Sequence, residues 1–141
     1  MKFLDANIFI YAYYKPKKRL SEKEEAMKEQ AKDIIRSISQ GKEQVTTTVV
    51  HISEIVNILK HGMPKDTLTQ AILGLFMLDN VKILDVTKED YFAAIELSED
   101  YKLDPNDALA IDVMRQQGIQ EIFSFDEHLS KIDGITRIPT V

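Results

Sequence analysis

Short strand-like runs alternate with helical patterns along almost the whole chain. The strand-like runs are the pair Phe3 and Leu4 and residues 44–48, 81–86, 121–125 and 135–138. Between them, apolar residues recur at the spacing of amphipathic helices. Strands that are joined through helices form a parallel sheet with right-handed crossovers and with helices on both faces. We therefore predict an α/β fold with a mainly parallel sheet of about five strands.

Capping residues mark where several of the helices begin and end. Ser21 followed by Glu24 is a capping box, and it predicts a helix that runs to residue 40 and stops at Gly41. Thr87 predicts another helix start, and Asp104 before a proline predicts the start of the last one. Further helices are predicted at residues 49–60 and 64–78.

The composition is that of an ordinary globular protein. The chain has 141 residues, 44% hydrophobic and 29% charged, so we predict a single domain over residues 1–141. It has no N-terminal apolar signal and no run near the roughly 20 apolar residues of a membrane helix, so we expect a cytoplasmic protein without membrane contact. The absence of cysteine excludes disulfides, thiolate catalysis and a cysteine zinc site. Because the three histidines are isolated in sequence, any metal should be a hard ion with oxygen ligands.

Four acidic residues stand where such a sheet would bring them together. Asp5 directly follows the first strand, and Asp126 directly follows the fourth. Glu54 lies about one turn into the helix after the second strand, and Asp107 lies near the start of a helix that is almost wholly apolar. The carboxyl ends of parallel strands meet at one edge, where α/β proteins bind ligands. Asp5 alone is equally well explained as the cap of the helix that begins near Asn7, so the other three acids decide between these interpretations.

Carboxylates gathered at one edge would repel one another unless a cation lies between them or protons are shared. A divalent Mg²⁺ or Mn²⁺ ion meets this need, because both prefer oxygen ligands and both serve phosphoryl-transfer enzymes and nucleases. Asn7 and Ser124 each lie two positions from one of the acids, Asp5 and Asp126 respectively. We predict that they orient these carboxylates or hold a water on the metal.

A net charge of −5 ordinarily argues against a nucleic-acid partner. Removing the four acids of the predicted site from the 23 in the chain leaves 19, against 18 lysines and arginines. The rest of the protein is therefore nearly neutral, and the acidic charge does not exclude RNA.

A basic segment follows the first helix. Lys15, Lys17, Lys18 and Arg19 surround a proline that should end that helix. The segment is explained either as a contact for the phosphates of RNA or as a solvated linker.

Asp112 has a simpler explanation than the four acids. It lies five positions after Asp107, on a different side of the predicted helix, and three positions before Arg115. We therefore predict a surface ion pair between Asp112 and Arg115.

Four segments resemble the four acidic motifs of PIN-domain nucleases, and they occur in the same order. They are residues 3–7 (FLDAN), 48–55 (TVVHISEI), 107–110 (DALA) and 123–126 (FSFD). The resemblance spans essentially the whole chain, whose length is similar to that of the VapC-type ribonuclease toxins of toxin–antitoxin pairs. Two departures affect the choice of substrate: Leu129 stands where the family often has an aromatic residue, and His128 intervenes.

The resemblance implies a Rossmann-like, three-layer α/β/α sandwich. It implies a divalent-metal-dependent ribonuclease that cleaves single-stranded or structured RNA, in which Asp5, Glu54, Asp107 and Asp126 bind Mg²⁺ or Mn²⁺ and carry catalysis. It also implies a homodimer and a small antitoxin protein that blocks the site. A housekeeping RNA-processing nuclease of the same fold is the alternative within the family.

Three other functions compete with a nuclease. A phosphotransferase or phosphatase would use Asp5 as a phosphorylated nucleophile, but such folds usually have a second acid where Asn7 stands. A non-catalytic binding module would retain the acids only for fold and partner contact, and would function without metal. Dinucleotide binding is disfavoured, because no glycine-rich turn follows the first strand.

Overall fold

The computed structural model describes residues 1–139, and its centre is a five-stranded parallel sheet. The strands are β1 (Lys2–Leu4), β2 (Val45–Thr48), β3 (Val81–Leu84), β4 (Glu121–Phe123) and β5 (Thr136–Ile138), in the spatial order β3-β2-β1-β4-β5. In the register, Lys2 of β1 lies beside Val45 on one side and beside Glu121 on the other. The prediction of an α/β fold with a parallel sheet is confirmed.

Six α-helices and one 3₁₀ helix connect the strands. The α-helices are α1 (Ala6–Tyr13), α2 (Glu22–Ser39), α3 (Val49–Leu59), α4 (Lys65–Met77), α5 (Lys88–Tyr101) and α6 (Pro105–Gln117), and the 3₁₀ helix is Glu127–Lys131. The predicted caps are present: Ser21 and Glu24 form a capping box at α2, and Thr87 caps α5. The helix boundaries therefore agree with the capping signals to within a residue or two.

The helices cover both faces of the sheet, which gives the predicted three layers. Leu4 is buried in a core with residues of α1 to α4, whereas its neighbour Phe3 is buried in a second core with residues of α5 and α6. Successive side chains of a strand point to opposite faces, so a central strand must be apolar at both positions. No helix within residues 1–139 is long and apolar enough to cross a membrane.

The chain reverses its direction of travel across the sheet at β1. From β1 it proceeds outward to β2 and β3, and then it returns to place β4 on the opposite side of β1. In open α/β sheets, such a reversal opens a crevice at the carboxyl ends of the two strands, where ligands bind. Asp5 follows β1 at this point, and the segment from Ser124 to Asp126 follows β4.

Some of the predicted details are wrong. β4 ends at Phe123, not at residue 125, so Asp126 is held by the loop beyond the strand. β3 likewise ends two residues early, at Leu84.

The predicted ion pair on α6 is also absent from the described structure. Asp112 accepts a hydrogen bond from Gln116, at 3.2 Å, and Arg115 donates one to the hydroxyl of Tyr101, at 2.9 Å. The guanidinium group of Arg115 also lies 5.4 Å from the centre of the Tyr101 ring. The partner of Arg115 is therefore Tyr101 on α5, and not Asp112 as the sequence spacing predicts.

Candidate active site

An open cleft of about 530 Å³ lies at the carboxyl edge of the sheet, next to the reversal at β1. All four predicted acids line it, and so does a fifth acid that was predicted only as a helix cap, Asp104. The complete lining is Asp5, Asn7, Glu54, Ile58, Asp104, Asn106, Asp107 and Asp126. Five of these eight side chains are carboxylic acids, so the cleft presents an acidic surface to any molecule that enters it.

Asp5 both caps a helix and faces the cleft. It is the N-cap of α1, and its Oδ1 accepts a hydrogen bond from the backbone N–H of Ala6 at 2.8 Å. Its Oδ2 accepts a second bond from the hydroxyl of Ser124 at 2.7 Å. Only 3% of Asp5 is exposed, and this burial raises its pKa to about 6 against the opposing effect of the two hydrogen bonds. Asp5 is therefore both the cap of α1 and a residue of the acidic cleft.

Ser124 and Asn7 connect the two strand ends that form the cleft. The hydroxyl of Ser124 accepts hydrogen bonds from Asn7 Nδ2, at 3.2 Å, and from the backbone N–H of Asp126, at 3.0 Å. Asn7 Oδ1 in turn accepts from the backbone N–H of Phe125 at 3.1 Å. The start of α1 is thereby tied to the loop after β4, which fixes the position of Asp126 relative to Asp5.

Asp107 and Asp126 face each other across the cleft. Their carboxyl groups are within hydrogen-bonding reach. Burial, the bond to Asp126 and the negative charges of Asp5 and Asp126 together raise the pKa of Asp107 well above its usual range. The pKa of Asp126 is lowered, because its hydrogen bonds with Asp107 and His128 outweigh the opposing effect of burial. Because two carboxyl groups this close repel each other when both are charged, either a proton or a cation between them stabilises the pair.

The remaining predicted acid, Glu54, projects from α3. It is partly buried, and its Oε1 accepts a hydrogen bond from Asn106 Nδ2 at 2.8 Å. This bond links α3 to the first turn of α6, immediately before Asp107.

The family model of the PIN domain matches residues 2–135. The chain belongs to the PIN-domain family. The match extends from β1 to the residue before β5, and therefore includes all the residues that line the cleft.

Solved structures that are similar to this PIN-domain chain include VapC toxins. The VapC20 sarcin-ricin loop cleaving toxin of Mycobacterium tuberculosis has a TM-score of 0.70 at 20% identity, over 90% of this chain and 91% of that one. A toxin–antitoxin complex from Klebsiella pneumoniae has a TM-score of 0.65 at 14% identity, over 96% of both chains. VapBC2 of Rickettsia felis, bound to a DNA fragment from its promoter, has a TM-score of 0.62 at 14% identity, also over 96% of both chains. No curated protein sequence matches the chain.

The PIN fold does not bring the basic segment into the cleft. Lys15, Lys17, Lys18 and Arg19 are exposed on the connection between α1 and α2, and none of the four lines the cleft. Lys18 instead borders a separate cavity of about 250 Å³, together with residues of α1 and α2.

Sequence reasoning missed the contribution of Asp104 and Asn106 to the cleft. Both were seen only as parts of a helix start, and Asp104 is indeed the N-cap of α6, accepting from the backbone N–H of Asn106 at 2.9 Å. The one available signal was a run of four polar or proline residues that ends at an assigned acid, Asp107. A cap and a cleft residue have the same sequence pattern, so this signal could not separate them.

The donor set of the cleft suits a hard divalent cation. Within residues 1–139, no three histidine, aspartate or glutamate side chains form an arrangement that could hold one ion between them. Mg²⁺ does not need such an arrangement, because it is usually bound through one or two carboxylates and keeps several waters. The carboxyl groups of Asp107 and Asp126 lie close enough to perturb each other's pKa, and a cation between them would relieve their repulsion.

Proposed function

We propose that this PIN-domain protein is a divalent-metal-dependent endoribonuclease and the toxin of a toxin–antitoxin pair. The observation that carries the proposal is the cleft in which Asp5, Glu54, Asp107 and Asp126 converge. The similar structure from Mycobacterium tuberculosis, a sarcin-ricin loop cleaving toxin, supports a choice of substrate class. We therefore extend the proposal to RNA, single-stranded or structured, as the substrate, and to the cytoplasm as the place of action.

The four acids have two parts in the proposed mechanism. Asp5, Asp107 and Asp126 would hold Mg²⁺ or Mn²⁺ directly or through water, and Glu54 would position a second ion or the attacking water. When bound, the metal lowers the pKa of water and stabilises negative charge on the phosphate. Ser124 keeps Asp5 oriented, because its hydroxyl bonds that carboxylate and the backbone of the loop that carries Asp126.

The four basic residues have a proposed role outside the cleft. Lys15, Lys17, Lys18 and Arg19 follow α1, whose first turn carries the cleft residue Asn7. Exposed lysine and arginine side chains are the groups that contact nucleic-acid phosphates without reading sequence. We propose that RNA extends from the cleft along α1, and that these four residues contact its phosphates beyond the end of that helix.

We also propose that the protein forms a homodimer and binds a small antitoxin. Two of the similar structures are toxin–antitoxin assemblies. In the single chain, several large apolar side chains on α4 and α5 are strongly exposed: Leu73, Phe76, Met77, Phe92 and Ile95. Within each helix the first of these side chains is three or four positions from the others, so each set lies on one face, and an apolar face of this kind is a candidate surface for another protein. Size-exclusion chromatography with light scattering should give twice the mass of one chain, and a mass of one chain would contradict the dimer.

The first experiment is cleavage of a mixed RNA pool with added Mg²⁺ or Mn²⁺. We expect cleavage that is abolished by EDTA and reduced at least about 100-fold by Asp107→Asn, because a metal ligand is lost while the shape of the side chain is kept. Asp112→Asn is the matched control. It makes the same change on the same helix, at a residue outside the cleft, and should cleave like the wild type.

The outcomes separate the proposed function from its alternatives. Cleavage that persists in EDTA would contradict the metal dependence. Absence of cleavage together with absence of Mn²⁺ binding by calorimetry would favour the non-catalytic binding module. Full activity of Asp107→Asn would remove Asp107 from the mechanism. A housekeeping nuclease would cleave RNA in the same way, but expression would not arrest growth of the host cell.

A further inference from the structure

The side chain of Asn106 bonds to side chains on two other helices of the fold, α3 and α5. Its Nδ2 donates to Glu54 Oε1 at 2.8 Å, and its Oδ1 accepts from the hydroxyl of Tyr91 at 2.7 Å. An ionised glutamate can only accept hydrogen bonds, so the amide must turn its NH₂ group toward Glu54. The amide oxygen then faces Tyr91, which is a donor. Both contacts are thus satisfied by one orientation of the amide.

The backbone of Asn106 is held just as firmly. Its carbonyl accepts a hydrogen bond from Nε2 of His51 at 3.0 Å, and Nδ1 of His51 accepts from the Thr48 hydroxyl at 2.7 Å. His51 is completely buried and packs edge-on against Phe3, with ring centres 5.0 Å apart. His51 and Glu54 both belong to α3, so Asn106 is bonded to that helix through its backbone and through its side chain.

The side chain of Asn106 is not needed to cap α6. That task is performed by Asp104, whose carboxylate accepts from the backbone N–H of Asn106. The amide is therefore free to act on Glu54, which lies 52 positions away in sequence. A glutamate on a helix surface samples many rotamers, and a fixed hydrogen-bond donor selects among them.

We propose that Asn106 is a positioning residue, which holds the Glu54 carboxylate in the cleft while Tyr91 fixes the orientation of its amide. The proposal rests on the proposed function, because it assigns to Asn106 a role in the same reaction. It adds two residues, Asn106 and Tyr91, to the machinery of the cleft. It also connects α5 to the cleft, because the hydroxyl of Tyr91 on α5 bonds to a residue that lines it.

The proposal predicts an ordered set of kinetic effects. Asn106→Ala should lower kcat about 10–100-fold with little change in KM, as is typical when a partner behind a catalytic group is removed. Asn106→Asp should lower kcat further, because it places a second negative charge against Glu54. Tyr91→Phe should have a smaller effect, since it removes only the contact that orients the amide.

A double-mutant cycle with Glu54→Asp distinguishes positioning from a general structural role. The shorter side chain keeps the charge but withdraws the carboxylate from Asn106. If Asn106 acts through Glu54, then Asn106→Ala should cost less than about 2-fold in the Glu54→Asp background. If its loss in that background equals its loss in the wild type, Asn106 acts independently of Glu54 and the proposal is overturned.

Two matched controls lie on α3 and α5, the helices that carry Glu54 and Tyr91. Asn57→Ala removes an exposed asparagine of α3 whose amide makes only a 3.5 Å contact with Ser53. Tyr101→Phe removes a tyrosine hydroxyl from α5 that accepts a bond from Arg115. Neither residue lines the cleft, and both variants should retain wild-type kcat.

A second readout does not depend on activity. The NMR resonances of the Asn106 side-chain amide should shift in Glu54→Gln and in Tyr91→Phe, and should stay unchanged in the two control variants. If the resonances of the Asn106 amide do not shift in Glu54→Gln, the contact between the two side chains is absent and the proposal is overturned. If the contact is present and the wild type is active, but Asn106→Ala keeps wild-type kcat, then the positioning role alone fails. If the contact is present and the wild type is inactive with every metal, the proposed function fails, and with it the catalytic meaning of the contact.

Discussion

At the scale of single residues, the cleft concentrates negative charge that the folded chain compensates only partly. Hydrogen bonds from Ser124 and from the backbone of α1 stabilise the charged form of Asp5, yet burial still raises its pKa to about 6. Asp107 lacks comparable donors, and burial and its acidic neighbours raise its pKa further. A folded protein keeps such an arrangement at a cost in stability when the site serves a ligand.

Asp107→Asn should therefore stabilise the metal-free protein while it abolishes activity. The raised pKa means that folded Asp107 retains its proton at a pH where the unfolded chain has released it. Stability of the wild type consequently falls as the pH rises above the unfolded pKa of about 4. Asparagine never ionises and can donate to Asp126 in place of the proton. In EDTA at pH 7.5, we expect a gain of about 1 kcal/mol after allowance for solvent screening, or about 3 °C in Tm.

The pH dependence of this gain is its internal control. Thermal melts at pH 4 should show the two proteins within about 1 °C of each other, because folded Asp107 keeps its proton and the unfolded chain has regained about half of its own, so little of the difference remains. Asp112→Asn should melt like the wild type throughout. A gain that is constant from pH 4 to pH 7.5 would show that ionisation of Asp107 is not its cause.

At the scale of elements, helix α1 is held at both ends by side chains from outside it. Asp5 caps its start, and the Nζ of Lys28 in α2 donates to the carbonyls of Tyr11, Ala12 and Tyr14 at 3.0, 3.4 and 2.5 Å. Tyr11 and Ala12 belong to the last turn of α1 and Tyr14 is its C-cap, and carbonyls at this end have no partners within the helix. Because α1 carries Asn7 into the cleft, the bonds from Lys28 at the other end of the helix contribute to the position of the site.

Lys28→Met should destabilise the fold measurably. The substitution keeps the unbranched side chain up to the ε position but removes the charged donor from three carbonyls. We expect a loss of about 1 kcal/mol, or about 3 °C in Tm, because hydrogen bonds from charged groups exceed neutral ones in strength. Lys32→Met on the same helix is the control: its only described ion pair, with Glu29, is exposed and 3.7 Å long, so it should change stability by less than about 0.5 kcal/mol. Equal losses of stability in the two variants would show that the bonds from Lys28 to these carbonyls do not stabilise the fold.

Helix starts could be predicted from the sequence better than strand ends or exposed faces. A capping residue acts on backbone groups two or three positions away, so Ser21 and Thr87 carry their information locally. The end of β4 depends on pairing with β5 and on the turn of Ser124 toward Asp5, both distant in sequence. Phe76 illustrates the remaining difficulty: it is a large apolar residue of α4, yet it is 53% exposed in the single chain.

At the scale of the whole molecule, the order of the strands explains why acids so distant in sequence could be grouped from sequence alone. A parallel sheet places every strand's carboxyl end at one edge, so any residue that follows a strand is a candidate for that edge. The same rule says nothing about Asn106, because its place depends on side-chain contacts between α3, α5 and α6. The rule places Asp5 and Asp126 directly and Glu54 within about two turns of β2, but it places neither Asp107, whose helix follows another helix, nor the network behind Glu54.

Binding of a divalent ion should reverse the order of stability between the wild type and Asp107→Asn. A ligand that binds only the folded state stabilises it by RT ln(1 + [L]/Kd), which is about 2.7 kcal/mol at one hundred times Kd. For the wild type this corresponds to a rise in Tm of about 8 °C with saturating Mn²⁺. Asp107→Asn should rise by less than half as much, because one charged ligand is missing. The variant that melts higher in EDTA should therefore melt lower in Mn²⁺, whereas Asp112→Asn should follow the wild type in both. If Mn²⁺ raises the Tm of Asp107→Asn as much as that of the wild type, the ion binds elsewhere, and the unfavourable charge in the cleft has another purpose.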